Sequence, residues 1–311
     1  MALGVPRVVH PNNCFSATMV VNQLESLALQ VTGWKGTNFF LKASRLTALT
    51  LTNMGFDDIP DLPWDQIQSC IYEMLLDAEI DILQSVPPNS LFIARGIPPP
   101  LPPSSLHISS NIKEFNVGVN ADVWSVSYQL HDCLTLPCLE SYGIFPSLHM
   151  EPPVFCSEHF LAFADRSAFA EHLLRLSIHP VVTGAELILC LKALPLLQEL
   201  VVYEHGSGSD HAISDDVLQC LVYKKDDSGS SLIPSLKFLD LTSDVNFTDS
   251  KYLEMICSRV ERMKVVGQLE FRANLWRSWG TVPERDVSAL LVGIDEMIRK
   301  GGLVFHSDLG T

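Results

Sequence analysis

The chain has 311 residues, 47% of them apolar and 18% charged, with 36 Asp and Glu against 21 Lys and Arg, a formal net charge of -15. The apolar content excludes global disorder, and the acidity repels phosphate backbones, so neither nucleic acid nor an anionic membrane is an expected partner. The length exceeds one small core and fits either two globular domains or one repeat array.

In chain order, residues 1–23 form an N-terminal segment. Met1 to Cys14 carries Pro6, His10 and Pro11 without the apolar run of a signal peptide. From Leu24 onward a pattern of the form apolar-x-x-apolar-x-apolar recurs. It reads Leu24, Leu27, Leu29, then Leu46, Leu49, Leu51, then Ile67, Cys70, Tyr72. A degraded copy is expected near Leu91 and Ile93, followed by Ile112, Phe115, Val117 and Leu139, Tyr142, Ile144. Three more follow at Leu173, Leu176, Ile178, at Leu197, Leu200, Val202 and at Leu236, Leu239, Leu241, with a last weak copy at Val266, Leu269, Phe271. Alternation at the last two positions of each copy describes a short strand with one face inward. Such a strand cannot bury its face alone, so stacked copies predict a parallel sheet over one continuous core.

Between strands the pattern turns helical. Thr183-Gly184-Ala185-Glu186 is a capping box, and Ser214 and Thr248 read as N-caps of helices over Asp215 to Leu221 and Asp249 to Val260. Thr281-Val282-Pro283-Glu284 opens a last helix that ends near Lys300, with Gly301 as its stop. The reading is an α/β leucine-rich-repeat solenoid, right-handed, with a parallel concave sheet and convex helices. Its array spans residues 24–280 and its capping helix and tail 281–311. A doubly wound α/β domain is the competing architecture, but its strands are longer apolar runs.

The eight cysteines, Cys14, Cys70, Cys133, Cys138, Cys156, Cys190, Cys220 and Cys257, form no CxxC pair, and most lie in apolar stretches as small hydrophobes. The most apolar segment, Ala185 to Tyr203, is interrupted by Glu186, Lys192, Pro195 and Glu199 and is not expected to span a membrane. A reducing compartment, cytoplasmic or nuclear, is the expected location.

Several segments resemble one family. Ile213-Ser214-Asp215 leading to Leu218, and Phe247-Thr248-Asp249 leading to Leu253, resemble the I-T-D-x-x-L helices of cysteine-containing leucine-rich repeats. Leu62-Pro63-Trp64-Asp65-Gln66-Ile67, Leu134-Thr135-Leu136-Pro137-Cys138-Leu139 and Leu194-Pro195-Leu196-Leu197-Gln198-Glu199-Leu200 resemble segments of F-box/leucine-rich-repeat proteins of mushroom-forming fungi. The resemblance covers about Leu24 to Arg259. It implies a protein–protein interaction module like the substrate-recognition repeats of a ubiquitin ligase subunit. The F-box start, roughly L-P-x-E-I-L, is not found before Leu24, so docking of the cullin-ligase adaptor by this chain is not expected.

No catalytic residue, metal site or cofactor is expected. His205-Gly206-Ser207-Gly208-Ser209-Asp210-His211 gathers Ser, His and Asp, and a hydrolase-like enzyme using this loop is the alternative function. It is neither G-x-S-x-G nor a P-loop, and triad members are assembled by folds rather than by adjacency. His131-Asp132-Cys133 and Glu158-His159 each offer two ligands, fewer than zinc takes. Pro98 to Pro103 and Lys224 to Ser231 read as loops.

If the Leu-type residues point inward, period two sends their neighbours to the open face. That face would carry Arg175, Ser177, His179; Glu199, Val201, Tyr203; Phe238, Asp240, Thr242; and Gln268, Glu270, Arg272. The N-terminal sets, Ser26, Ala28, Gln30 and Ala48, Thr50, Thr52, are blander. The expected partner-binding residues are Arg175, His179, Glu199, Tyr203, Phe238, Asp240, Glu270 and Arg272, with Glu199, Asp240 and Glu270 aligned as an acidic stripe that favours a basic segment of a protein partner. The missing F-box start makes one outcome explicit: a pull-down with purified adaptor is expected to recover none of this chain. Stoichiometric capture would reveal a docking surface that the motif does not describe.

Overall fold

The computed structural model describes residues 23–30, 40–52, 61–73, 83–95, 107–119, 131–146, 154–203, 212–224, 232–243, 247–268, 270–277 and 288–308. The chain is α/β and divides into two compact units, the first comprising Met1–Glu151 with Arg166–Phe169 and the second Pro152–Asp165 with Ala170–Thr311.

The first unit contains strands β1 (Ser26–Gln30), β2 (Ala48–Thr52), β3 (Ser69–Glu73), β4 (Leu91–Arg95), β5 (Ile108–Ser109), β6 (Glu114–Val119), β7 (Leu134–Thr135) and β8 (Ser141–Pro146). Six of these pair in parallel in the order β1-β2-β3-β4-β6-β8, while β5 and β7 pair separately. The inward residues, as predicted in every strand but β4, fall into two buried rows. One runs Leu27, Leu49, Cys70, Phe92, Phe115, Tyr142 and the other Leu29, Leu51, Tyr72, Ala94, Val117, Ile144. Ahead of β2, β3, β6 and β8, Leu46, Ile67, Ile112 and Leu139 are fully buried, as the first apolar position of their copies predicts, whereas Leu24 ahead of β1 is half-buried. The period is about 22 residues over the first copies, inside the range of leucine-rich repeats.

The fourth strand differs from the reading above. Phe92 and Ala94 face inward, whereas Leu91 and Ile93 stand on the half-exposed face. A one-residue slip in a strand reverses every side chain. Here the decisive constraint is the aromatic row: Phe92, Phe115 and Tyr142 lie in neighbouring strands with ring centroids 6.1 Å apart at each step. The Tyr142 hydroxyl ends that row in a hydrogen bond with His131 Nε2, and burial holds the phenol well above its usual pKa.

Helix α1 (Ser157–Ser167) lies in the second unit up to Asp165, and from there the second unit alternates strands with helices: β9 (Arg175–Ile178), α2 (Gly184–Lys192), β10 (Glu199–Tyr203), α3 (Asp215–Leu221), β11 (Phe238–Ser243), α4 (Asp249–Val265), β12 (Phe271–Arg277), α5 (Ser288–Arg299) and β13 (Leu303–Asp308). Strands β9 to β13 are parallel and pair in chain order. Helices α2 to α5 pack side by side in the same order. One backbone bond recurs at the start of successive strands: Glu199 N–H donates to Leu174 O (2.9 Å), Phe238 N–H to Gln198 O (3.0 Å) and Arg272 N–H to Lys237 O (2.9 Å). The inward rows are Leu176, Leu200, Leu239, Ala273 and Ile178, Val202, Leu241, Leu275.

The helix starts follow local chemistry. The capping box forms at Thr183, whose hydroxyl accepts from Glu186 N–H while its own N–H donates to Glu186 Oε2. Ser214 Oγ accepts from Val217 N–H at the start of α3. Thr248 stands at the N-cap of α4 but makes no side-chain cap. Its hydroxyl and N–H donate instead to the Asp215 carboxylate in the first turn of α3, the N–H at 2.6 Å. Gly301, at φ +75°, follows α5 as its predicted stop. The predicted helix start at Thr281 to Glu284 lies outside the described residues, as do the N-terminal segment to Asn22, the proline run at 98–103 and residues 225–231.

Arg259 on α4 is fully buried and donates to three carbonyls: Leu221 O, Ile233 O and Leu232 O, each at 2.8 Å. It ties the end of α3 and the segment before β11 to α4, where Ile233 holds a φ of 43°. Burial, with a further push from Arg262, lowers its pKa to about 10, so it remains a cation at neutral pH.

Two outcomes follow from this architecture. Arg259→Ala strands three buried acceptors, each worth about 1–3 kcal/mol, and is expected to lower unfolding free energy by roughly 3–5 kcal/mol in urea titration; a loss below about 1 kcal/mol would mean those carbonyls find other donors. Among the described residues β1 pairs on one side only, with β2, whereas β11 pairs on both sides. Amides of Ser26–Gln30 should therefore exchange faster than those of Phe238–Ser243, and equal protection would contradict this.

Candidate protein-binding face

The outward residues of β9 to β13 form three rows. The first is Arg175, Glu199, Phe238, Arg272, Val304; the second is Ser177, Val201, Asp240, Asn274, His306; the third places Tyr203, Thr242, Trp276 and Asp308 in register. Strand burial alternates between buried inward residues and half-exposed outward ones in β9 and β10.

Six of the eight expected binding residues stand on this face within strands: Arg175, Glu199, Tyr203, Phe238, Asp240 and Arg272. His179 lies one residue past β9 and its ring stacks on Tyr203, with centroids 5.4 Å apart and planes at 6°. Its Nε2 is 3.1 Å from Ser177 Oγ. Arg175 Nε pairs with Glu199 Oε2 at 3.1 Å across neighbouring strands. Phe238 is half-buried between Glu199 and Arg272 in register.

The acidic stripe does not form. Glu199 is level with Phe238, Asp240 stands one row further along, and Glu270 precedes β12. For Glu270 the cause is the last copy of the motif. The inward residues of β12 are Phe271, Ala273 and Leu275, while Val266 is 40% exposed just beyond α4. Leu269 lies outside the described residues. Glu270 Oε1 accepts from Arg272 Nε at 2.9 Å and Nη2 at 2.8 Å, so this carboxylate serves its own neighbour.

The sequence reading missed Asn274 and Trp276, the outward residues that this shift brings onto the face. The signal was present as the period-two run Phe271, Ala273, Leu275, but alanine at the leucine position concealed it. Asn274 Nδ2 donates to Asp240 Oδ2 at 2.7 Å, and Trp276 is 36% exposed. Strand β13, also unread, adds Val304 and His306. Beneath the face, Tyr252 on α4 is buried and stacked on Phe247 at 5.2 Å. Burial raises its phenol pKa and the negative charge of Asp240 raises it further.

His205–His211 lies outside the described residues. Among the described residues no group of three or more His, Cys, Asp or Glu is placed to hold a metal ion, and no helix is long and apolar enough to cross a membrane. Comparison with protein-family models, curated proteins and solved structures returned no match.

Proposed function

We propose that the chain is a leucine-rich-repeat solenoid that binds another protein on the open face of its second unit. The observation that carries this reading is one-sided burial. Strands β9 to β12 bury alternate residues completely, and most of the residues between them stay at least partly exposed, among them Arg175, Glu199, Tyr203, Phe238, Asp240, Arg272 and Trp276. A doubly wound enzyme covers both sheet faces and reverses its strand order at the point where ligand binds. Within each unit the main strands instead follow in chain order. Chain-order stacking with a period near that of leucine-rich repeats supports the solenoid. The resemblance to fungal F-box/leucine-rich-repeat proteins extends the proposal to substrate recognition in ubiquitin ligation, in a cytoplasmic or nuclear setting. The face has the composition of an interface, with Tyr203, Trp276, Phe238 and two arginines within three rows.

The test is a pair of truncations on a partner recovered by affinity capture and then purified. Tyr203→Ala and Phe238→Ala are each expected to weaken binding by roughly 1–3 kcal/mol while leaving the thermal midpoint within a few degrees. Both side chains are outward and only half-buried, so the core survives their loss. Unchanged affinity in both variants would move the binding surface off these strands.

A further inference from the structure

The open face is not uniform in charge. Glu199 has Arg175 and Glu270 has Arg272. Asp240 has a different partner, the neutral amide of Asn274, and no cation among the described residues. A neutral donor fixes the orientation of a carboxylate and leaves its charge in place. That charge stands on a chain whose formal net charge is -15.

One row further along each strand, Thr242 lies in register with Tyr203 on one side and Trp276 on the other. Thr242 belongs to the outward set yet is only 8% exposed, because a short side chain sits low between two large rings. The His179 and Tyr203 rings are nearly parallel at a separation close to the spacing between strands. Register places His179 and Thr242 on opposite sides of Tyr203 along the sheet. Trp276 stands in register on the other side of Thr242 and is 36% exposed. Asp240 and Trp276 are diagonal neighbours on adjacent strands, roughly 7–8 Å apart at the backbone. A lysine or arginine side chain spans that distance.

We propose that this position seats one lysine or arginine of a basic peptide segment, its charge on Asp240 and its stem or guanidinium plane against Trp276, above Thr242. The inference deepens the protein-binding reading of the face and rests on it. Cations over aromatic faces are attracted by the ring quadrupole, most strongly over tryptophan, and a carboxylate beside the ring supplies the counter-charge. An acidic ligand is disfavoured because both arginines of the face already hold carboxylates of their own.

The experiment titrates the full chain with pentalysine and, separately, pentaglutamate, at physiological salt, by calorimetry. Pentalysine should bind saturably and pentaglutamate should not. Asp240→Asn keeps the shape of the side chain and should weaken pentalysine binding about tenfold; Trp276→Leu should weaken it several-fold. Glu261→Gln, an exposed position on α4, removes the same charge away from the site and should leave binding unchanged. Circular dichroism confirms that each variant is folded. Equal weakening by Glu261→Gln and Asp240→Asn would show diffuse attraction to an acidic surface and overturn the proposal, as would absence of pentalysine binding to the native chain. If the partner depends on Tyr203 and Phe238 but pentalysine does not depend on Asp240, the seat falls and the wider face stands. If pentalysine depends on Asp240 while the partner ignores Tyr203 and Phe238, the seat stands and the wider face falls.

Discussion

A strand that contributes two inward side chains cannot hold itself. Fixing five backbone residues costs roughly 5–10 kcal/mol, and burying two leucine-sized side chains returns only about 3–6 kcal/mol. The balance must come from neighbours, through the parallel ladder and through the helices that cover the inner face. This dependence explains why each predicted strand is found beside the next one in sequence. It also explains why the first apolar residue of each copy is buried without exception from Leu46 to Leu236 where the Leu-led motif holds. That residue turns the chain inward, and the recurring backbone bond from one strand's first N–H to the carbonyl before its neighbour sets the register. Register in turn decides which side chains meet on the outer face.

Because the inner rows are committed to packing, chemical variety is confined to the outer rows. In the first unit one outer row is mostly small or apolar, with Ala28, Thr50, Ile71, Ile93, Asn116 and Gly143 in register, while the next brings Gln30, Thr52, Glu73, Arg95, Gly118 and Phe145 level with one another. A Cβ at Gly143 would collide with Asn116 Oδ1 and come within 2.6 Å of the Phe145 ring, so this row is closed at Gly143 by its own neighbours. In the second unit the corresponding rows carry arginine, carboxylates and aromatic rings.

Much of this was legible in the residues, and the failures have physical causes. Leu-led copies could be read because branched aliphatic side chains repeated at a fixed spacing mark the inward positions of stacked strands. The pattern misleads where the inward residues are Phe92 and Ala94, or Ala273 and Leu275, since alanine is neutral in any periodic count. Helix starts at Thr183 and Ser214 were legible as local chemistry. The exchange of a cap for a bond to Asp215 at Thr248 was not, because it joins the starts of two successive helices, 33 residues apart. Arg259 was illegible for a related reason. A charged residue in a helix reads as surface, and only the tertiary fold supplies the three carbonyls that make its burial tolerable. The pairing of Asp240 with Asn274 likewise exists only once β11 and β12 are in register.

The contrast among the carboxylates of the face decides how it would discriminate. The Arg175–Glu199 and Arg272–Glu270 pairs are largely exposed, and pairs of that kind contribute about 0–1 kcal/mol and weaken with salt. They serve to cancel charge locally, which keeps two arginines from repelling a cationic ligand and two glutamates from attracting one without preference. Among the described side chains of the face, Asp240 is the carboxylate oriented by an amide rather than neutralised by a cation, one row from Thr242 and Trp276. Specificity is a difference between affinities, and it is sharpest where one charge is left unbalanced among others that are balanced. On this face that position is Asp240.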